Sequence, residues 1–315
     1  MKIAVFMGGS SAEREISLMS GESIAKALKT TDNTVDVYDV EWEGSSALCE
    51  AVREVSRNGT ELVFLGLHGG LGENGGVQGM LEAAGIPYTG SGITASAVAM
   101  DKDISKTLFI HNGIPTAPWI AGCPEALDTS CVSEKIGYPC VVKPADQGST
   151  IGLSVVRNPS ELKEAVSQAS VFSKKIMAES YITGKELSVP ILADECLPVI
   201  EIRPSHEIYD YECKYTAGMC EYSIPAPIPD KLADMIRAYA LKVYRLLDLR
   251  DIARIDFRLD EKGCPLCFEA NTLPGMTSTS LVPKSALKTG IDFTRLVTMI
   301  AESAIKRKGN ALYGT

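Results

Sequence analysis

Four polar residues between positions 253 and 276 have the types and spacing to do chemistry together. The stretch reads ARIDFRLDEKGCPLCFEANTLPGM. Two runs of alternating apolar residues flank Glu261-Lys262-Gly263, a turn signal, so a β-hairpin is predicted. Asp256 falls on the first strand; Glu269 and Asn271 end the second. Side chains alternate along a strand, so Glu269 and Asn271 share a face. If the strands pair as drawn, Asp256 faces them, and Arg254, two residues earlier, projects to the same side. Two carboxylates and a carboxamide oxygen are hard donors with no histidine near. Such a set suits Mg²⁺ held jointly with substrate phosphates. A cation on that face adds a partner for the charge that spreads over a transferring phosphoryl group. Taken alone, paired acids on strands are ordinarily a solvated face or an ion pair. The rest of the chain has to decide.

The elements that must position these residues can be read along the chain. Its 315 residues are 45% hydrophobic and 23% charged, which suffices for two or three domains with stable cores. A net charge of −9 disfavours a non-specific nucleic-acid binder, so no nucleic-acid partner is expected. No run of 18 apolar residues occurs, and MKIAVFMGGSS lacks the apolar core of an export signal. A cytoplasmic protein without membrane contact is expected. Nine cysteines follow no framework and read as reduced, mostly buried thiols. Cys264 and Cys267 form a C-x-x-C inside the predicted strand, with no second pair, which disfavours zinc or redox chemistry.

Residues 2–7 predict a buried strand, followed by a glycine loop and a helix whose first turn carries Glu13 and Glu15. Strand, glycine loop and helix open a doubly wound parallel sheet. The spacing is not G-x-G-x-x-G, so a dinucleotide site is weakly supported. Strands at 35–40, 61–67 and 86–89 and helices at 46–58 and 77–84 continue the pattern. His68 opens a loop with five glycines in nine residues, beyond a strand's C-terminal end, where such sheets bind ligands. One helix is predicted over 95–112. Residues 137–144 predict a strand with Lys143 in an apolar run, where an unpaired charge is costly. The loop 145–152 has the small, glycine-bearing character of a phosphate-binding lid. A helix capped by Ser160 follows, then strands at 176–179, from Glu186 and at 198–204. The clearest helix spans 230–247, and a last one spans 293–308.

The ordered set GGSSAEREISLMSG, LHGGLGENGGVQG, MDKDISK, VVKPADQGSTIG, AESYITGKELSV, EIYDYECKY, ARIDF and FEANTLPGMTSTSLVP closely resembles the D-alanine–D-alanine ligases of the ATP-grasp superfamily, over nearly the whole chain. The resemblance implies an α/β fold: an N-terminal doubly wound domain at 1–95, a central ATP-grasp subdomain at 96–183, and a C-terminal subdomain at 184–315. It implies that ATP phosphorylates one D-alanine and that a second D-alanine displaces phosphate, for peptidoglycan precursor synthesis. It further implies Mg²⁺, as two ions, with Mn²⁺ able to substitute, and a homodimer.

The resemblance also implies residue roles. Lys102, Lys143 and Lys214 match lysines on the ATP phosphates. Glu179, with the Ser180–Ile182 backbone, matches the adenine link, and Glu186 matches the ribose-binding acid. Asp256, Glu269 and Asn271 match the metal ligands, and Arg254 matches the arginine that stabilises the acyl phosphate. Glu13 matches the partner of the first D-alanine's ammonium, and His68 the histidine near its carboxylate. Gly275, Ser280 and Leu281 match the acceptor loop. Glu13, Ser149 and Tyr215 match a hydrogen-bonded trio that ties the lid down. The lid departs from the family in reading Ala145-Asp146-Gln147 where Ser-Arg-Glu is commoner. Ligases that join D-alanine to D-serine or D-lactate are the alternative; Tyr215 fits the dipeptide-forming type.

Overall fold

The computed structural model describes residues 1–206, 213 and 218–311, with side chains to 307. Lys214 and Tyr215 lie outside the described residues.

Three sheets carry the described residues. The first is parallel, in the order β2-β1-β3, from β1 (Lys2–Gly8), β2 (Thr34–Val40) and β3 (Leu62–Leu65). The alternation in β1 explains why it is wound on both sides. Ile3 and Val5 pack with Ile24 and Leu28 of α1 (Arg14–Lys29). Ala4 and Phe6 pack with Leu48 and Val52 of α2 (Ala47–Val55). Burying each large apolar side chain on such a strand is worth about 1.5–3 kcal/mol. The predicted strand at 86–89 is reduced to a single parallel bridge, Tyr88 to Val63. Helix α3 (Gly76–Ala83) closes this unit with Val77 and Leu81.

The predicted helix over 95–112 is two helices, α4 (Ile93–Met100) and α5 (Lys102–His111). Asp101 between them is extended, and its carboxylate accepts from the N–H groups of Asp103 and Ile104. An aspartate satisfies the orphan donors of a new helix better than it continues an old one. Ala95, Ala99 and Phe109 of this pair pack on the third sheet, against Val189, Ile255 and Cys267.

The second sheet is antiparallel, in the order β4-β7-β5-β6, from β4 (Trp119–Gly122), β5 (Cys140–Pro144), β6 (Ser154–Val156) and β7 (Ile176–Ser180). A short helix, α6 (Thr129–Lys135), links β4 to β5. One face is covered by α7 (Leu162–Ser170), whose Leu162, Ala165, Val166 and Ala169 pack on Cys140, Val142 and Ala178. The cap predicted at Ser160 sits at Asn158 instead. Its side chain accepts from the Ser160 N–H at the start of a 3₁₀ turn, and the α-helix begins after that turn.

The third sheet runs β11-β10-β8-β12-β13, with β9 (Glu195–Cys196) beside β8 (Lys185–Leu192). The others are β10 (Ile200–Pro204), β11 (Cys220–Ser223), β12 (Ile252–Leu259) and β13 (Pro265–Asn271). Helix α8 (Asp230–Leu246) lays Ile236, Ala240 and Val243 on its inner face. Two last helices, α9 (Leu281–Lys288) and α10 (Phe293–Ala311), return to the first sheet, where Val282, Leu296 and Ile300 join Ile3 and Val5.

Candidate active site

The predicted hairpin forms as β12 and β13. Register puts Arg254 opposite Asn271 and Asp256 opposite Glu269. A bulge follows: Phe257 pairs with Cys267, so Phe268 is the extra residue. The bulge lets two demands coexist. On the inner side Phe257 and Cys267 are both fully buried. On the other side Arg254, Asp256, Arg258, Phe268 and Glu269 all face one cleft. One inserted residue re-aims side chains while keeping the ladder, the usual use of a bulge beside a site.

Asp256 is buried and heavily engaged. Its carboxylate accepts from Arg254 Nε at 3.0 and 3.1 Å and from Nη2 at 2.8 Å. It also accepts from Ser188 Oγ at 2.6 Å and Asn271 Nδ2 at 2.9 Å. Strand β8 supplies Ser188 because it pairs with β12 in the register Asp256 to Ser188 and Arg258 to Glu186. The second match is an ion pair, Arg258 Nη2 to Glu186 at 2.8 Å. Glu269 pairs with Lys102 Nζ at 3.0 Å. Lys102 is the first residue of α5 and also donates to the Gln147 carbonyl at 2.7 Å, fixing the start of the lid. Among the described residues no three His, Cys, Asp or Glu side chains cluster as a metal site. The expected set has two acids and one amide on adjacent register positions. That donor set fits Mg²⁺, whose other positions go to phosphate oxygens and water. Ser188 orients the Asp256 carboxylate from behind, as outer partners of ligands do.

Opposite the hairpin stands the second sheet. Val141 and Lys143 of β5 and Glu179 of β7 face the cleft, while their alternating neighbours Cys140, Val142 and Ala178 are core. Ala117, Val141, Leu153, Leu266 and Phe268 give the cleft apolar walls. Ser180, Tyr181, Ile182 and Glu186 line it as well. The Glu179 carboxylate sits between two ammonium groups, Lys106 Nζ at 2.8 Å and Lys143 Nζ. Burial alone would raise its pKa; the two lysines override burial and hold it at about 2.

A second cleft adjoins the first. It is lined by Glu13, His68 and Glu73 from the N-terminal unit, by Gly148 and Ser149 of the lid, and by residues 273–281. Glu13, predicted inside the first turn of α1, is the residue before it, and its carboxylate accepts from Ser149 Oγ across the cleft. Two glycines make room for it. A Cβ on Gly69 would stand 2.7 Å from Glu13 Oε2, at a φ of +68°, and one on Gly148 would stand 3.0 Å from it. His68 is buried with both ring nitrogens engaged: Nδ1 donates to the Leu273 carbonyl at 3.0 Å, and Nε2 accepts from Ser20 Oγ at 2.9 Å. Burial lowers its pKa against the pull of Glu13, which keeps the ring neutral. Ser20 Oγ in turn accepts from the Met276 N–H at 3.2 Å. The histidine thus pins the loop 273–276. Ser280 Oγ accepts from the Thr277 N–H at 3.1 Å, and a Cβ on Gly275 would stand 2.9 Å from that hydroxyl. Leu281, the first residue of α9, opens the helix N-terminus onto the cleft. Arg254 and Gly148 line both clefts.

Of the residues expected from sequence, every one that falls among the described residues lies in one of these two clefts. Five others matter and carry no motif of their own. Lys106 is four residues after Lys102, on the same helix face. Arg258 continues the alternation of Arg254 and Asp256, and Ser188 that of Glu186. Ser20 is seven residues after Glu13 on α1. Glu73 sits within the glycine loop; burial and nearby Glu13 push its carboxyl up to about 8, against the Gly69 N–H that donates to it at 2.7 Å.

Comparisons with known proteins identify the family. The family model described as D-ala D-ala ligase C-terminus matches residues 108–302, and that described as D-ala D-ala ligase N-terminus matches 39–91. A D-alanine–D-alanine ligase from Anaeromyxobacter sp. is 41% identical over 304 residues, 96% of each chain. The crystal structure of the Bacillus anthracis D-alanine–D-alanine ligase complexed with ATP superposes with a TM-score of 0.85 at 32% identity, covering 99% of both chains. VanG D-Ala:D-Ser ligase from Enterococcus faecalis gives 0.82 at 27% identity, over 96% of this chain and 99% of its own. The fold is the ATP-grasp fold preceded by a parallel-sheet unit. The chain belongs to the D-alanine–D-alanine ligase family.

Proposed function

We propose that this protein joins two D-alanine molecules to D-alanyl-D-alanine at the expense of ATP, for peptidoglycan precursor synthesis. The observation that carries the reading is the adjacency of the two clefts, with Arg254 lining both. The first cleft suits a nucleotide. Adenine fits between Val141, Leu153 and Leu266, with the backbone of Ser180–Ile182 along its edge, and Glu186 takes the ribose. Lys102 and Lys143 meet the phosphates, and the resemblance adds Lys214. Asp256, Glu269 and Asn271 would hold Mg²⁺, or Mn²⁺ in its place, as two ions. Bound there, the metal neutralises phosphate charge and orients the triphosphate.

The second cleft suits the amino acids. Glu13 pairs with the first ammonium, beside His68. The N-terminus of α9, with Ser280 and Leu281, attracts the acceptor's carboxylate, because free N–H groups and the helix dipole favour an anion there. The first carboxylate attacks the γ-phosphorus, the bond to the ADP oxygen breaks, and an acyl phosphate forms. The acceptor's amine, having lost a proton, attacks the acyl carbon, and phosphate leaves as the peptide bond closes. Arg254 stands where charge builds in both steps, so its contribution belongs to the transition states. The lid, held by Ser149 on Glu13 and by Tyr215 as the resemblance implies, excludes water from the acyl phosphate.

On the same reading the protein works in the cytoplasm as a homodimer. No helix among the described residues is long and apolar enough to cross a membrane. The test is a product assay with ATP, Mg²⁺ and D-alanine, with D-serine and D-lactate present in equal amounts. The reading expects D-alanyl-D-alanine as the main product. A D-alanyl-D-serine or a depsipeptide in excess would overturn it.

A further inference from the structure

We propose that Lys106 is a positioning residue for the nucleotide: its enclosed amine is the fixed partner of Glu179, which frees Lys143 to leave that carboxylate for a phosphate. The inference rests on the nucleotide reading of the first cleft.

Lys106 is fully buried. It does not line the cleft, whereas Lys143 and Glu179 do. Its ammonium has Glu179 Oε2 at 2.8 Å on one side and the Trp119 ring at 5.2 Å on another. Trp119 is held in place twice: β4 pairs it with Glu179 in the sheet register, and its Nε1 donates to Asp103 Oδ1 at 2.8 Å. An ammonium enclosed this way cannot reach a ligand. Lys143 bonds the other oxygen of the same carboxylate, from the cleft side.

One carboxylate therefore faces two lysines, and Glu179 opposes the burial that pushes the Lys106 pKa down, which leaves an excess of positive charge at the wall of a phosphate site. With both lysines present, a phosphate can take Lys143, and Glu179 keeps a partner. Without Lys106, Lys143 and Glu179 form a closed neutral pair. A phosphate would then strip a buried carboxylate of its only counter-ion, which is strongly unfavourable. Lys106 thus acts on phosphate affinity through Glu179, without touching substrate.

The experiment compares Lys106→Met, Lys106→Met/Glu179→Gln, Glu179→Gln, Lys143→Met and the unmodified enzyme. Each is titrated calorimetrically with ATP plus Mg²⁺, without D-alanine, and separately with adenosine. Lys106→Met is expected to weaken ATP binding roughly tenfold or more while leaving adenosine within about twofold. Glu179 also belongs to the adenine link, so the double variant is read against Glu179→Gln: the neutral amide no longer holds Lys143, and removing Lys106 as well should change ATP affinity by no more than about threefold. Equal weakening of ATP and adenosine by Lys106→Met, no weakening of ATP, or a double variant more than about threefold below Glu179→Gln would each overturn the proposal. Should Lys106→Met fail to fold, the comparison of the double variant with Glu179→Gln carries the test alone. The underlying reading fails separately, if Lys143→Met binds ATP as the unmodified enzyme does.

Discussion

The two clefts meet at Arg254 but are built in opposite ways. In the first, nearly every functional side chain stands on a strand, and sheet register fixes its neighbours. Asp256 faces Ser188 and Glu269, Arg258 faces Glu186, and Glu179 faces Trp119 and Val141. In the second, the contacts join loops and helix ends far apart in the chain. Ser149 reaches Glu13 across 136 positions, His68 reaches Leu273 across 205, and Ser20 reaches Met276 across 256. The first cleft is a rigid template for charge. The second exists only while four segments far apart in the chain are held together, and small hydroxyl and imidazole contacts hold them.

The largest expected effect lies where the clefts meet. Arg254→Ala should lower turnover on the order of 10²–10³-fold, as loss of one preorganised oxyanion donor does. ATP affinity, measured by titration without D-alanine, should change only a few-fold. Equal loss of turnover and ATP binding would remove the assignment to the transition state. Next comes the template itself. Asp256→Ala should cut activity by about 10–100-fold and raise the Mg²⁺ concentration for half-maximal rate; an unchanged Mg²⁺ titration would contradict the ligand assignment.

In the second cleft the effects should be smaller and of a different kind. Ser20→Ala removes the link between His68 and the Met276 N–H. It should raise the KM for the acceptor D-alanine about fivefold, the worth of one net hydrogen bond, with the KM for ATP unmoved. A matching rise in both would erase the contrast between the clefts. The smallest effect is a pH dependence. Glu73 has an ordinary value of 4.5 and is held up near 8, so the folded state keeps a proton that the unfolded state has lost. Its contribution to stability is present below about 4.5 and is lost as pH rises toward 8. Glu73→Gln should flatten that slope in thermal unfolding; a steeper slope in the variant would refute the protonated state.

The same contrast explains how much could be read from sequence. The hairpin was legible because a turn signal and period-two alternation determine which side chains meet, and Arg254, Asp256, Glu269 and Asn271 meet as expected. The bulge at Phe268 was not legible, since it answers to the fit of Phe257 and Cys267 in the core rather than to any local signal. The same strand alternation runs on to Arg258 along β12 and to Ser188 along β8. His68 was legible as a ligand-loop residue, but not its pinning of the loop 273–276: its partners Ser20 and Leu273 come together only when the last helices fold back on the first sheet. The break at Asp101 shows the reverse case, a capping residue set inside a stretch of continuous helix periodicity.

The central claim is that the carboxylate of one D-alanine attacks the γ-phosphate of ATP in the space Arg254 spans. It is tested most directly with D-alanine labelled with ¹⁸O in its carboxylate, incubated with ATP and Mg²⁺, and mass analysis of the released phosphate. Acyl-phosphate formation requires one labelled oxygen to pass to inorganic phosphate for each dipeptide made. Dipeptide formed with unlabelled phosphate would contradict the account.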